Sequence, residues 1–126
     1  MLAMVLERPQ PVKHNPLKLK NIPIPSPGPN EVLIKIRACG ICHTDLHIAE
    51  GELQLPKIPI IPGHQIIGLI EKVGARVRGF RRGDRVGVPW LNFTCERCEY
   101  CRRGLENLCN RARFTGYHVN GGFAEY

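Results

Sequence analysis

The 126-residue chain is long enough for one core of ordinary size and too short for two. With 43% hydrophobic and 23% charged residues it is not a disordered tail, and no run approaches the ~18 apolar residues of a membrane-spanning helix. The net charge of +7 admits an acidic partner, but the basic residues are spread from Arg8 to Arg113, which favours solubility over a nucleic-acid or membrane partner.

Glu7 and Arg8 interrupt the N-terminal run before a signal-peptide core can form, so a cytoplasmic chain is expected. Thirteen glycines and 11 prolines argue for many turns and against a helix bundle. Residues 1–38 read as strands. In Glu31–Ala38 the alternation places Val32, Ile34, Ile36 and Ala38 on one face. A short helix is predicted over Thr44–Glu50, ended by Gly51. Pro56, Pro59 and Pro62 make 52–62 an extended loop. Gln65–Val73 reads as a tightly packed strand, and Gly83-Asp84 turns into another at Arg85–Trp90. Residues 116–126 look like a hairpin turning at Asn120-Gly121-Gly122. The expected fold is mostly β, with a metal-held lobe at about 92–113.

That lobe carries Cys95, Cys98, Cys101 and Cys109, spaced C-x2-C-x2-C-x7-C. Two-residue gaps let paired sulfurs reach one ion, and four thiolates so close would repel without a cation. Disulfides are disfavoured without a secretion signal, and spacing alone also allows an iron–sulfur cluster. A closed set of four cysteines without a core of its own favours structural zinc.

A second cluster runs Cys39-Gly40-Ile41-Cys42-His43-Thr44-Asp45-Leu46-His47, and Gly63-His64-Gln65 follows. Three readings compete on the residues alone. Cys39 and Cys42 form a redox pair, or they join Cys95 and Cys98 in a zinc ribbon, or Cys42 and His64 ligate a separate catalytic zinc. His14 and His118 read as ordinary surface or core imidazoles.

The string A-C-G-I-C-H-T-D-L-H, then G-H, then the four-cysteine spacing, then G-Y-x-x-x-G-G-F-A-E-Y, resembles the zinc-dependent alcohol dehydrogenases of the medium-chain dehydrogenase/reductase superfamily. The resemblance spans essentially the whole chain in order. It implies a GroES-like barrel with short helices, filling residues 1–126 as an incomplete catalytic domain. It also implies catalytic zinc on Cys42 and His64, and structural zinc on Cys95, Cys98, Cys101 and Cys109. Asp45 would orient His64, Thr44 would accept the alcohol's proton, and His47 would pass it toward solvent. His43 would lie against the cofactor pyrophosphate, and Trp90 would wall the substrate pocket. Cys39 would be no ligand, although Cys39, Cys42 and His64 together offer an improvised zinc site.

The chemistry suits these residue types. Alcohol oxidation removes a proton and a hydride; zinc is a Lewis acid, and a hydroxyl and an imidazole in series carry protons. Two features depart from the family pattern. Gln65 stands where Glu is common, removing a negative charge behind the zinc. No cysteine follows Cys109 and no G-x-G-x-x-G follows a strand, so the third catalytic ligand and the dinucleotide-binding half are missing. The expectation is therefore a truncated dehydrogenase, inactive alone, using zinc and, only with the missing domain, NAD or NADP on a small alcohol or aldehyde. Strands lacking neighbours leave a homo-oligomer open. The alternatives are a non-catalytic zinc-binding module and a nucleic-acid-binding zinc lobe built on Arg97, Arg102, Arg103, Arg111 and Arg113.

Overall fold

The computed structural model describes residues 1–126. Strands make up 33% of the chain and helices 14%, in line with the mostly-β expectation. β1 (Leu2–Leu6) pairs antiparallel with β2 (Leu17–Asn21) across a loop holding the 3-10 turn Val12–His14. β3 (Val32–Gly40), β4 (Gln65–Val73) and β5 (Arg85–Val88) form an antiparallel sheet with β4 in the middle. Helix α1 (His43–Glu50) lies in the connection from β3 to β4. β6 (Leu91–Phe93) pairs with β7 (Arg113–Phe114), and the cysteine lobe between them holds only α2 (Glu99–Arg102) and the 3-10 turn Glu106–Leu108.

Three expectations need correction. The strand expected to reach Trp90 ends at Val88, because Pro89 has no N–H for a ladder. The single apolar face expected on β3 is broken by a bulge on β3, and a second bulge lies on its partner β4. Arg37 is an extra residue between the pairs Ile36–Gly68 and Ala38–Ile67, and Glu71 is an extra residue between Leu33–Lys72 and Ile34–Ile70. The Arg37 bulge exchanges the faces of the β3 residues beyond it, so Ala38 is exposed while Val32, Ile34 and Ile36 are half-buried; Leu33, on the opposite face, is buried. On β4 only Ile66 and Ile70 are buried among the expected core residues, and Ile67 faces water.

The third correction concerns residues 116–126, which form no hairpin. Gly121 donates to Ile61 O at 2.6 Å, Gly122 to Gly63 O at 2.8 Å and Phe123 to Pro62 O at 3.0 Å. The chain then runs between β1 and β3: Met4 donates to Phe123 O at 2.8 Å, and Ile36 donates to Glu125 O at 2.9 Å. A Cβ at Gly121 would lie 2.0 Å from Gly63 O. The Asn-Gly-Gly run thus serves close backbone packing instead of a turn.

Two small apolar clusters hold these parts together. Ala3, Val5 and Ile61 pack under Ile22, Phe123 and Ala124. Leu6, Ile48 and Ile60 pack with Leu17, Leu53, Leu55, Trp90 and Tyr117. The second cluster seats α1 through Ile48, whose full burial stabilises by roughly 1.5–3 kcal/mol.

Candidate active site and metal centre

Helix α1 begins at Cys42, whose extended backbone places it at the N-cap. Asp45, three residues on, returns its Oδ2 to accept the Cys42 N–H at 2.9 Å. Its Oδ1 accepts the Gly63 N–H at 3.0 Å. Asp45 is 5% exposed, and two backbone donors satisfy a carboxylate that would otherwise be costly to bury. One carboxylate therefore ties the Cys42 end of α1 to the Gly63-His64 turn.

Gly63 makes that turn at φ 94°, a left-handed conformation disfavoured for other residues. A Cβ there would sit 2.7 Å from Phe123 Cδ1 and 2.9 Å from Cys39 Sγ. His64, also 5% exposed, meets the edge of Trp90 with ring centroids 4.8 Å apart. Its Nδ1 lies 3.3 Å from Asp45 Oδ1, within ion-pair reach, yet off the line of its N–H, so this buried nitrogen has no aligned hydrogen-bond partner. An imidazole held by one side against a carboxylate offers its Nε2 to a metal.

The other expected residues fall around this core. Cys42 Sγ points at Thr44 Oγ1 across 3.8 Å. The His43 and His47 rings lie one helical turn apart with centroids 4.6 Å apart. Trp90 stacks on Phe114 at 4.8 Å and leans toward Tyr117, whose hydroxyl donates to Gln54 O at 2.7 Å. Trp90 thus connects His64 to the core. Gln65 is exposed, and its side chain lies over Gly40, its partner in the ladder. Cys39 packs against Gly63 and Gly122, and burial pushes its thiol up. It is not gathered with Cys42 and His64 into a three-donor group. One residue escaped the sequence reading: Glu52, whose carboxylate accepts a hydrogen bond from His47 Nδ1. Only the Gly51 that follows α1 hinted at such a return.

The four-cysteine lobe is more closed. The sulfurs of Cys95, Cys98, Cys101 and Cys109 all lie within 4.8 Å of one another, and all six cysteines are free thiols. Zinc with bonds of ~2.3 Å sets ligand sulfurs ~3.8 Å apart, so this donor set fits a tetrahedral ion. The N–H groups of Cys95 and Arg111 each donate to Cys109 Sγ at 3.4 Å. The Arg97 backbone N–H is the main cause holding the Cys95 thiol down at about 6. Cys101 is pushed up to about 12, first by loss of water and then by hydrogen bonds with Cys98 and Cys109. Of the lobe's arginines, Arg102 donates to Arg97 O and Arg103 pairs with Glu99.

Residues 28–126 match the family model of the alcohol dehydrogenase GroES-like domain. The chain belongs to that family. The chain is 45% identical, over its whole length, to a probable alcohol dehydrogenase, AdhA, of Mycobacterium tuberculosis, of which it covers 38%. Over 88% of the chain it is 51% identical to an alcohol dehydrogenase of Geobacillus stearothermophilus, covering 33% of that protein. A cobalt- and zinc-bound thermostable alcohol dehydrogenase from Pyrobaculum aerophilum superposes with a TM-score of 0.90 at 32% identity, over 99% of this chain and 37% of that one. The chain therefore spans about a third of the length of the curated relatives it matches. None of its helices is long and apolar enough to cross a membrane.

Proposed function

We propose that these residues carry the alcohol side of a zinc-dependent alcohol dehydrogenase, which interconverts a small alcohol and its aldehyde or ketone. The observation that carries this reading is the Asp45 carboxylate, which binds the Cys42 and Gly63 N–H groups and backs His64. Cys42 and His64 would then supply a thiolate and an imidazole to one zinc, with further ligands needed to complete it. When bound, zinc supplies a Lewis acid and the nicotinamide of NAD or NADP accepts the hydride.

This chain's own residues handle the proton and the cofactor's charge. Thr44, whose hydroxyl lies beside Cys42 Sγ, would take the alcohol's proton. His47, half-buried on α1, would pass it to water. His43, exposed at the first turn of the helix, faces outward where a pyrophosphate would approach. Trp90 walls the substrate side of His64. The lobe of Cys95, Cys98, Cys101 and Cys109 would hold a structural zinc. The 126 residues by themselves are expected not to turn over, since hydride transfer needs a nucleotide held in place.

Native mass spectrometry tests the reading. One zinc per chain is expected, retained in Cys42→Ser and lost in Cys98→Ser. A second zinc, lost in Cys42→Ser, would mean that Cys42 and His64 have found further ligands. A metal-free chain at neutral pH after zinc loading would overturn the reading.

A further inference from the structure

His47 and Glu52 are five residues apart. On a continuous helix that spacing turns the side chains about 140° away from each other, so they would not meet. They meet here because α1 ends sharply. Gly51 adopts φ 83°, its N–H returns to His47 O at 3.1 Å, and the Glu52 N–H also returns to His47 O at 3.0 Å. The reversal carries Glu52 back over the last turn, where its carboxylate accepts from His47 Nδ1. The cap tolerates little change, since a Cβ at Gly51 would lie 2.9 Å from Pro9 Cβ and the φ is left-handed. The His47 and Glu52 side chains are 38% and 56% exposed, so their contact adds little stability and is more informative as a device of orientation.

We infer that Glu52 is a positioning residue for the proton relay: it holds the proton of neutral His47 on Nδ1 and leaves Nε2 as the free acceptor. This rests on the relay role given to His47 above. The reason is the chemistry of imidazole. A neutral ring has one N–H and one lone pair, and a carboxylate can only accept, so the nitrogen facing it must carry the hydrogen. Without Glu52 the ring is free to take the tautomer that imidazole prefers in water, with the proton on Nε2. That nitrogen could then donate to a relay partner but not accept from one. Two orientations of the ring are thereby reduced to one. The other imidazole against it, His43, packs ring to ring and leaves the Nδ1 contact to Glu52.

The test is long-range proton–nitrogen NMR of the histidine rings in the zinc-loaded 126-residue chain, at a pH where His47 is neutral. Wild type should show His47 mainly as the Nδ1–H form. Glu52→Ala and Glu52→Lys should both shift the ring to mainly Nε2–H, since neither side chain accepts at Nδ1. Glu52 is exposed, so neither change opens a cavity, and the backbone amide spectrum shows whether the fold is kept. Wild-type His47 found mainly as Nε2–H would overturn the inference, as would the same tautomer in wild type and both variants. Zinc counted in the same samples keeps the two readings apart. An unresponsive tautomer in a zinc-bearing chain defeats the role of Glu52 alone. A responsive tautomer in a chain that takes no zinc upholds the positioning and defeats the dehydrogenase reading.

Discussion

The Gly63 N–H donates to Asp45 Oδ1 at 3.0 Å, and this bond joins the helix that carries Cys42 to the turn that carries His64. With its other oxygen on the Cys42 N–H, Asp45 fixes where Cys42 and His64 stand relative to each other, as the zinc site proposed above requires. Ligands held in place in this way would lose less entropy on binding that ion.

Asp45→Ala should leave the buried Gly63 N–H and the part-buried Cys42 N–H without acceptors. The expected loss is about 2–6 kcal/mol, at roughly 1–3 kcal/mol for each stranded donor. Urea unfolding of the zinc-loaded chain measures it. A change under about 0.5 kcal/mol, the size of an ordinary surface substitution, would show that Asp45 does not hold the turn.

Gly63→Ala combines a disfavoured left-handed backbone with a Cβ 2.7 Å from the Phe123 ring and 2.9 Å from its backbone nitrogen. Strain and overpacking together should cost about 2–4 kcal/mol. The same unfolding experiment checks this, and an unaltered midpoint would contradict the close packing of 121–123 on 62–63.

Zinc removal should act locally. The lobe's elements are two to four residues long, and among its residues only Cys109 is a buried apolar contributor. With so little apolar burial, its few hydrogen bonds leave metal coordination as the main source of order. Hydrogen exchange over 92–113 should rise sharply after chelation, while β3 and β4 keep their protection. Equal protection of the lobe with and without chelator would refute this.

Cys39 gives a prediction above neutral pH. A free thiol ionises near 9.0, and burial raises Cys39 above that in the fold. The folded chain therefore keeps this proton to higher pH than the unfolded chain does. Its contribution is full below 9.0 and is lost as pH rises through the folded value. Between about pH 8 and about pH 10, wild type should lose more stability than Cys39→Ala. Parallel pH profiles for the two proteins would speak against a desolvated Cys39.

The parts of this molecule that were legible in the residues are those whose cause is local. The two-residue gaps of Cys95, Cys98 and Cys101 bring their sulfurs together because a short loop has few other ways to run, and Cys109 joins them as expected. Helix α1 was legible through Gly51, and β4 through its run of β-branched residues. The buried face of β3 was not, because the bulge at Arg37 depends on the partner strand and leaves no mark in the alternation itself.

The same division holds for the site. Sequence alone determined the inventory: four closely spaced thiols, a Cys-His-Thr-Asp run after a strand, and a Gly-His pair before another. Which of these meet was decided by tertiary structure. Asp45 finds Gly63 across 18 residues of chain, Gly121 and Gly122 lie along Pro62-Gly63 instead of forming a turn, and Glu52 reaches His47 only through the cap. The physical reason is common to all three. Each is a hydrogen bond whose partner is chosen by the packing of other elements, and no periodicity or spacing within one element encodes it.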